Sequence, residues 1–190
     1  MSPLSTRDKL IQAMSRSMQT RGFEATGMKD VLESAAVSTG SMYHAFPRGK
    51  EELGAAAVRE VGLAAADRIR GVLTDASSVT EALERIFGAL MADLERSGYR
   101  FGCPVGVPAT EAAAVSDEIQ AACNEAFTAW VDAYRDALIA EGWDGDAAAE
   151  LALTIVTSYE GAVTMARALR STDPIANTRS YLIDRVEAGR

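Results

Sequence analysis

The sequence predicts an all-α protein, a small three-helix head followed by a larger helical body, and three observations carry that expectation. Apolar side chains recur every three or four residues along almost the whole chain, the period of one helix face. No alternating apolar run flanked by a hairpin turn is present to suggest strands. Capping residues, glycines and prolines divide the apolar stripes into segments of helix length. With 190 residues, 48% of them apolar, the chain can build one sizeable core or two small domains sharing a helix.

The first helix is expected over Thr6–Arg21, with Leu10, Ile11, Met14 and Met18 on its inner face. Ser5 is placed to cap it and Gly22 to end it in a left-handed turn, after which Phe23 tucks back towards the core. Thr26 is expected to cap a short second helix reaching about Ala35, with Met28, Val31 and Leu32 inward. A tight break at Ala36-Val37 leads into a third helix, capped by Ser38 and ending near Ala45. Pro47 and Gly49 interrupt again, and a long helix follows from about Lys50 to Asp75, with Leu53, Ala57, Val61, Ala64, Ile69 and Val72 as its stripe. Its length suits a connector between head and body.

Ser78-x-x-Glu81 has the form of a capping box, opening a helix to about Arg96 whose stripe is Leu83, Ile86, Phe87, Leu90, Met91 and Leu94. Three glycines and two prolines between Gly98 and Pro108 predict irregular chain there. A further helix is expected from about Ser116 to Glu141, carrying Ile119, Cys123, Phe127, Trp130, Tyr134 and Leu138. The last two cover about Asp146–Arg170 and Pro174–Glu187, the final one with Asp173 as cap and Pro174 at its first position. The division expected from this pattern is a head over 1–50 and a body over 51–190, joined by the helix of about 50–75.

Composition excludes several function classes. No apolar run is long enough for a membrane span, and Met1 to Asp8 lacks the core of a secretory signal, so a cytoplasmic protein is expected. Cys103 and Cys123 match no zinc spacing and the chain has a single histidine, so no metal and no cofactor is expected. Both cysteines are read as small packing residues, with a redox role left open. The net charge of −8 is unevenly spread. Residues 1–50 hold seven basic and four acidic side chains, a balance of +3, which leaves −11 for the remainder. A mildly basic head on an acidic body agrees with nucleic-acid binding.

The chemistry sits in residues 27–46, two short helices separated by a three- or four-residue break, the layout of a helix-turn-helix. In the second of these helices Val37, Met42 and Phe46 face inward, while Ser38, Thr39, Ser41, Tyr43 and His44 offer polar groups outward. Small residues at Thr39, Gly40 and Ser41 let the backbone approach a major groove, where hydroxyls and the threonine methyl can meet base edges. Tyr43 and His44, a turn further on, are placed for phosphate oxygens. Lys50, at the start of the long helix, combines a cation with free backbone N–H groups. Thr26 and Lys29 are candidates for gripping the backbone on the other flank. His44 has no nucleophile or carboxylate placed to make it catalytic, and no enzyme site is expected. A phosphate-binding P-loop ending at Gly49-Lys50 would need glycine at position 44 and serine or threonine at position 51, where the chain has His44 and Glu51.

The string Thr39-Gly40-Ser41-Met42-Tyr43-His44-Ala45-Phe46-Pro47-Arg48-Gly49-Lys50-Glu51-Glu52-Leu53, with Gly22-Phe23-Glu24-Ala25-Thr26 before it, resembles the signature of the TetR family of repressors. The Phe-Pro-x-Gly-Lys-Glu form of the motif and Gly102-Cys103-Pro104-Val105-Gly106 are similar to the subgroup of lincomycin-resistance-type efflux repressors. The resemblance implies a homodimer with a DNA-binding head and a ligand-binding body. Two departures from the family pattern stand out: Gly27 where serine or threonine is common, and Ala36 where glycine often makes the turn.

Phe87, Met91, Phe127, Trp130, Tyr134, Tyr159 and Met165 lie at helical spacing in the body, where such residues are ordinarily core. The family resemblance implies that some of them line an apolar pocket for a small hydrophobic, flat effector, with Gly98–Pro108 as its rim. Leu151, Ile155, Ala162, Met165, Leu169, Tyr181, Leu182 and Val186 on the last two helices either close the monomer core or pair with a second copy as a four-helix bundle. The second option is favoured because operators are symmetric. The expected function is a ligand-released repressor that binds a palindromic operator as a homodimer. The alternative is a helical small-molecule-binding protein or enzyme without DNA binding.

Overall fold

In a computed structural model of the chain, described over residues 4–189, the capping signals set most helix boundaries. Met1 to Pro3, part of the N-terminus read above as leaderless, lie outside the described residues. α1 spans Thr6–Arg21, and its capping box is complete: the Ser5 hydroxyl accepts from the Asp8 N–H while the Asp8 carboxylate accepts from the Ser5 N–H. α2 is Met28–Ala35, α3 Thr39–Ala45, α4 Lys50–Asp75 and α5 Val79–Arg96. α6 is Gly106–Glu111, α7 Asp117–Ala140, α8 Gly145–Leu169 and α9 Asp173–Ala188. No strand occurs among the described residues, and none of their helices is long and apolar enough to cross a membrane.

The structure corrects the expected boundaries in four places. Thr26 does not cap α2; Gly27 holds that position without a side-chain bond. Glu81 does not close a box on Ser78. The Ser78 hydroxyl accepts from the Glu81 N–H, but the Glu81 carboxylate accepts from the Ser77 N–H and hydroxyl instead. Those bonds, aided by Arg85, hold the Glu81 carboxyl at about 2. The Gly98–Pro108 segment is not irregular throughout, since α6 starts at Gly106 and includes Pro108. Pro108 is third in that helix, where an N–H has no intrahelical acceptor, so proline costs nothing there. Finally, α9 begins at Asp173 itself, with Thr172 before it.

The chain forms two compact units. One runs up to Leu63 and takes in Cys103–Ala126; the other comprises Ala64–Gly102 and the chain from Phe127 onward. α4 and α7 each begin in the first unit and end in the second.

In the first unit Leu10, Met14 and Met18 of α1, Val31, Met42, Phe46 and Leu53 are all buried. Gly22, at φ +82°, ends α1 with a positive φ but an extended ψ, so the turn is not the left-handed cap expected. Its missing side chain leaves room for the Glu111 carboxylate, which accepts from the Phe23 N–H at 2.7 Å. α6 is thereby bonded to the loop after α1. At Gly62 of α4 any Cβ would overlap that of Ala126 of α7, and the two helices cross at backbone distance. The ion pair Arg59–Glu125 joins the same two helices at the surface, and Arg48, in the turn before α4, pairs with Glu118 of α7.

In the second unit α9 packs on α5 and α8. Leu83, Phe87, Leu138, Ile155, Leu182 and Val186 are among its fully buried residues. Leu151, Ile155, Leu182 and Val186 are thus core of this unit and are removed from the bundle surface expected for a second copy, while Ala162, though buried, borders the open groove beside Met165. Met165, Leu169 and Tyr181 remain outside, each more than half exposed.

Candidate functional site

α3 has seven residues and one fully covered side chain, Met42, 1% exposed, followed by the equally buried Phe46. Everything else about it is polar or small and turned outward. Lys29, Ser38, Thr39, Gly40, Ser41, Tyr43 and His44 are all exposed. The Ser38 hydroxyl caps the helix, accepting from the Ser41 N–H at 3.2 Å. The turn from α2 passes through Ala36 at φ +52°, ψ +46°, a left-handed residue with a side chain, a conformation that costs about 1 kcal/mol in an L-residue. Around that turn Lys29, Leu32, Glu33, Val37 and Thr39 border an open surface groove.

Gly40 is the informative position. A Cβ added there meets nothing within 4 Å, so no intramolecular packing calls for glycine, which costs a helix roughly 1 kcal/mol against alanine. The exposed, bare backbone at Gly40 leaves this face of α3 open to close approach from outside the chain.

The flanking groups fall out differently. Tyr43 is 54% exposed and its ring edge lies over Gly49. Lys29 extends into solvent, with only a 3.9 Å pairing to Glu33. Lys50 sits over the Phe23 ring at 4.6 Å and donates to the Glu24 carbonyl at 3.2 Å, so its charge is held in place with two N–H donors left. Thr26 is corrected. It is 1% exposed and its hydroxyl donates to the Gly22 carbonyl at 2.6 Å, which secures the loop and leaves nothing to offer a phosphate. Arg7, which the sequence reading did not place at the site, lies over the Phe46 ring at 5.0 Å, and so places an exposed cation beside the end of α3.

The second unit contains a cavity of about 340 Å³ between α4, α5, α7 and α8. Trp130, Tyr134 and Tyr159 line it. Phe87 and Phe127 stand behind them, edge-on to Tyr159 and Trp130 at 5.9 and 5.4 Å. Met91 is not in the lining, and Met165 is corrected: it faces an open groove on α8 with Gly161, Leu169 and Pro174. The sequence reading missed the remaining wall, Ala65, Ile69 and Val72 of α4, Ile86, Ala89 and Leu90 of α5, Val156 of α8, and two charged residues, Arg68 and Asp93. No local signal marks them, because they belong to the ordinary stripes of their helices.

Cys103 and Cys123 lie on either side of Val105. The Cys103 sulfur accepts from the Val105 N–H at 3.4 Å, and the Cys123 thiol donates to the Val105 carbonyl at 3.8 Å. Both are buried, and burial pushes the Cys123 thiol up to about 11, far from thiolate chemistry. No group of side chains able to hold a metal occurs among the described residues.

Comparison with known proteins places both ends of the chain in one family. Residues 10–57 match the family of bacterial regulatory proteins called tetR, and residues 79–180 match the C-terminal domain of LmrA/YxaF-like transcriptional regulators. Two Bacillus subtilis proteins are similar over most of their length. The uncharacterised HTH-type transcriptional regulator YxaF is 27% identical, with 90% of this chain and 89% of that protein covered. The HTH-type transcriptional regulator LmrA is 26% identical, with 94% and 95% covered. Among solved structures, a TetR regulatory protein from Rhodobacter sphaeroides superposes with a TM-score of 0.83 over 94% of this chain and 97% of that one. At 24% identity that likeness bears on the fold alone.

Proposed function

The chain belongs to the TetR family of DNA-binding transcriptional regulators, in its LmrA/YxaF-like group, and from that premise we propose a repressor that binds a palindromic operator as a homodimer and is released by a small hydrophobic effector. The observation that carries the reading is the exposed, small-residue face of α3, with Gly40 bare for no internal reason. Two copies of α3 would lie in successive major grooves, Thr39, Gly40 and Ser41 against base edges. Ser38, Tyr43, His44, Lys29 and Lys50 would hold phosphates and set the register.

The proposed functional division is a head over 1–50, a connecting helix over about 50–75 and a ligand-binding, dimer-forming body within 51–190. Support for the dimer surface is the apolar remainder of the last two helices, Met165 and Leu169 beside Gly161 on α8 and the exposed Tyr181 on α9. In the proposed cycle an effector in the body changes the tilt of α4 and with it the spacing of the two heads. The effector must favour the state that does not bind DNA, since equal affinity for both states shifts nothing.

Gel-shift and footprinting assays against the DNA upstream of the protein's own gene test the reading. The expected result is one protected, two-fold symmetric site. A folded, dimeric protein that protects no site would leave the alternative, a helical small-molecule-binding protein without DNA binding.

A further inference from the structure

We propose that the molecule held in the second unit's cavity is a one- or two-ring aromatic carboxylic acid. Its ring would lie against Trp130 and Tyr159, a polar acceptor would meet the Tyr134 hydroxyl, and its carboxylate would reach Arg68. The inference rests on the effector reading above and names the class of that effector.

Size comes first. At about 340 Å³ the cavity is at the small end of the roughly 300–1,000 Å³ usual for ligand sites, which limits the occupant to one or two rings. The walls supply ring chemistry. Trp130 and Tyr159 meet at 6.3 Å between centroids and 82° between planes, so together they present a face and an edge to a third ring.

Two polar groups then select the substituents. Tyr134 is 3% exposed and lines the cavity, yet its hydroxyl has no hydrogen-bond partner among the described residues. A phenol hydroxyl in that state is free to donate to an acceptor, and the cavity is the open space beside it. Burial also raises its phenol well above the ordinary range, so it stays a donor at any physiological pH. Arg68, Ala89 and Asp93 are the exposed members of the lining and mark where the cavity opens. Asp93 is already paired with Arg96. Arg68 makes no ion pair or hydrogen bond with any described residue. The mouth therefore presents one uncompensated guanidinium, whose planar fork matches a carboxylate.

The test uses the full chain and three probes of one shape, each with a ring hydroxyl as the acceptor for Tyr134: 6-hydroxy-2-naphthoate, its neutral carboxamide and (6-hydroxy-2-naphthyl)methylammonium, titrated by calorimetry and by Trp fluorescence. The carboxylate is expected to bind about fivefold more tightly than the carboxamide, and the ammonium more weakly than either. Arg68→Gln, an exposed change that leaves the fold alone, should remove the carboxylate preference and keep carboxamide binding. Tyr134→Phe should weaken carboxylate and carboxamide alike by roughly five- to tenfold with an unchanged melting temperature. Equal binding of carboxylate and carboxamide, a preference that survives Arg68→Gln, or no binding of any probe overturns the proposal. A protein that binds its operator but none of the probes sinks the effector class alone. One that binds a probe but no DNA sinks the regulator reading instead.

Discussion

α3 and α7 are built on opposite plans, and the difference separates what this chain shows from what it hides. α3 anchors itself with Met42, followed by Phe46, and turns its remaining side chains outward. α7 buries a continuous stripe, Ile119, Ala122, Cys123, Ala126, Trp130, Tyr134 and Leu138, and its chemistry faces a cavity shared with three other helices. A surface that reads an external partner is written in consecutive residues. A cavity is written in residues from distant parts of the chain, and only packing decides which of them meet.

The contrast can be broken at its anchor. Met42→Ala removes the only fully buried side chain within α3 and should cost about 2–5 kcal/mol, seen in urea unfolding together with loss of specific DNA binding. A small cost would mean that α3 is held by contacts other than its anchor. A middle-sized effect is expected at Lys50. Lys50→Ala should weaken binding to operator and random DNA alike and reduce the slope of log affinity against log salt by about 0.9. A changed base preference would move Lys50 from phosphate anchor to base reader. The smallest effect is expected at the turn. Ala36→Gly relieves a left-handed alanine and should raise stability by roughly 0.5 kcal/mol, the relief being offset in part by glycine's larger unfolded-state entropy. A loss of stability would show that the Ala36 methyl contributes packing that outweighs the strain.

Legibility follows the same divide. α1 and α4 are found at the expected residues, because the Ser5 cap and the break at Pro47-Gly49 are local signals. The polar residues of α3 were legible for the same reason. Thr26 was misread because its hydroxyl had two uses, and the loop at Gly22 took it before the helix could. α6 was missed because Gly106 and Pro108 look like breakers, although the first turn of a helix accepts proline. In the body, aromatic content pointed to Trp130, Tyr134 and Tyr159, but Met165 has the same periodicity and faces outward. Arg68 carried no signal at all: an arginine on a long helix is ordinarily a solvated charge.

The central claim is that α3 keeps a bare backbone for the approach of DNA, and Gly40→Ala tests it most directly. The added methyl meets nothing in the protein, so unfolding should show a gain of roughly 0.5–1 kcal/mol from helix propensity. The same variant should lose operator affinity, because the methyl occupies the space the groove needs. A Gly40→Ala protein that is more stable and binds its operator as tightly as before would contradict the account.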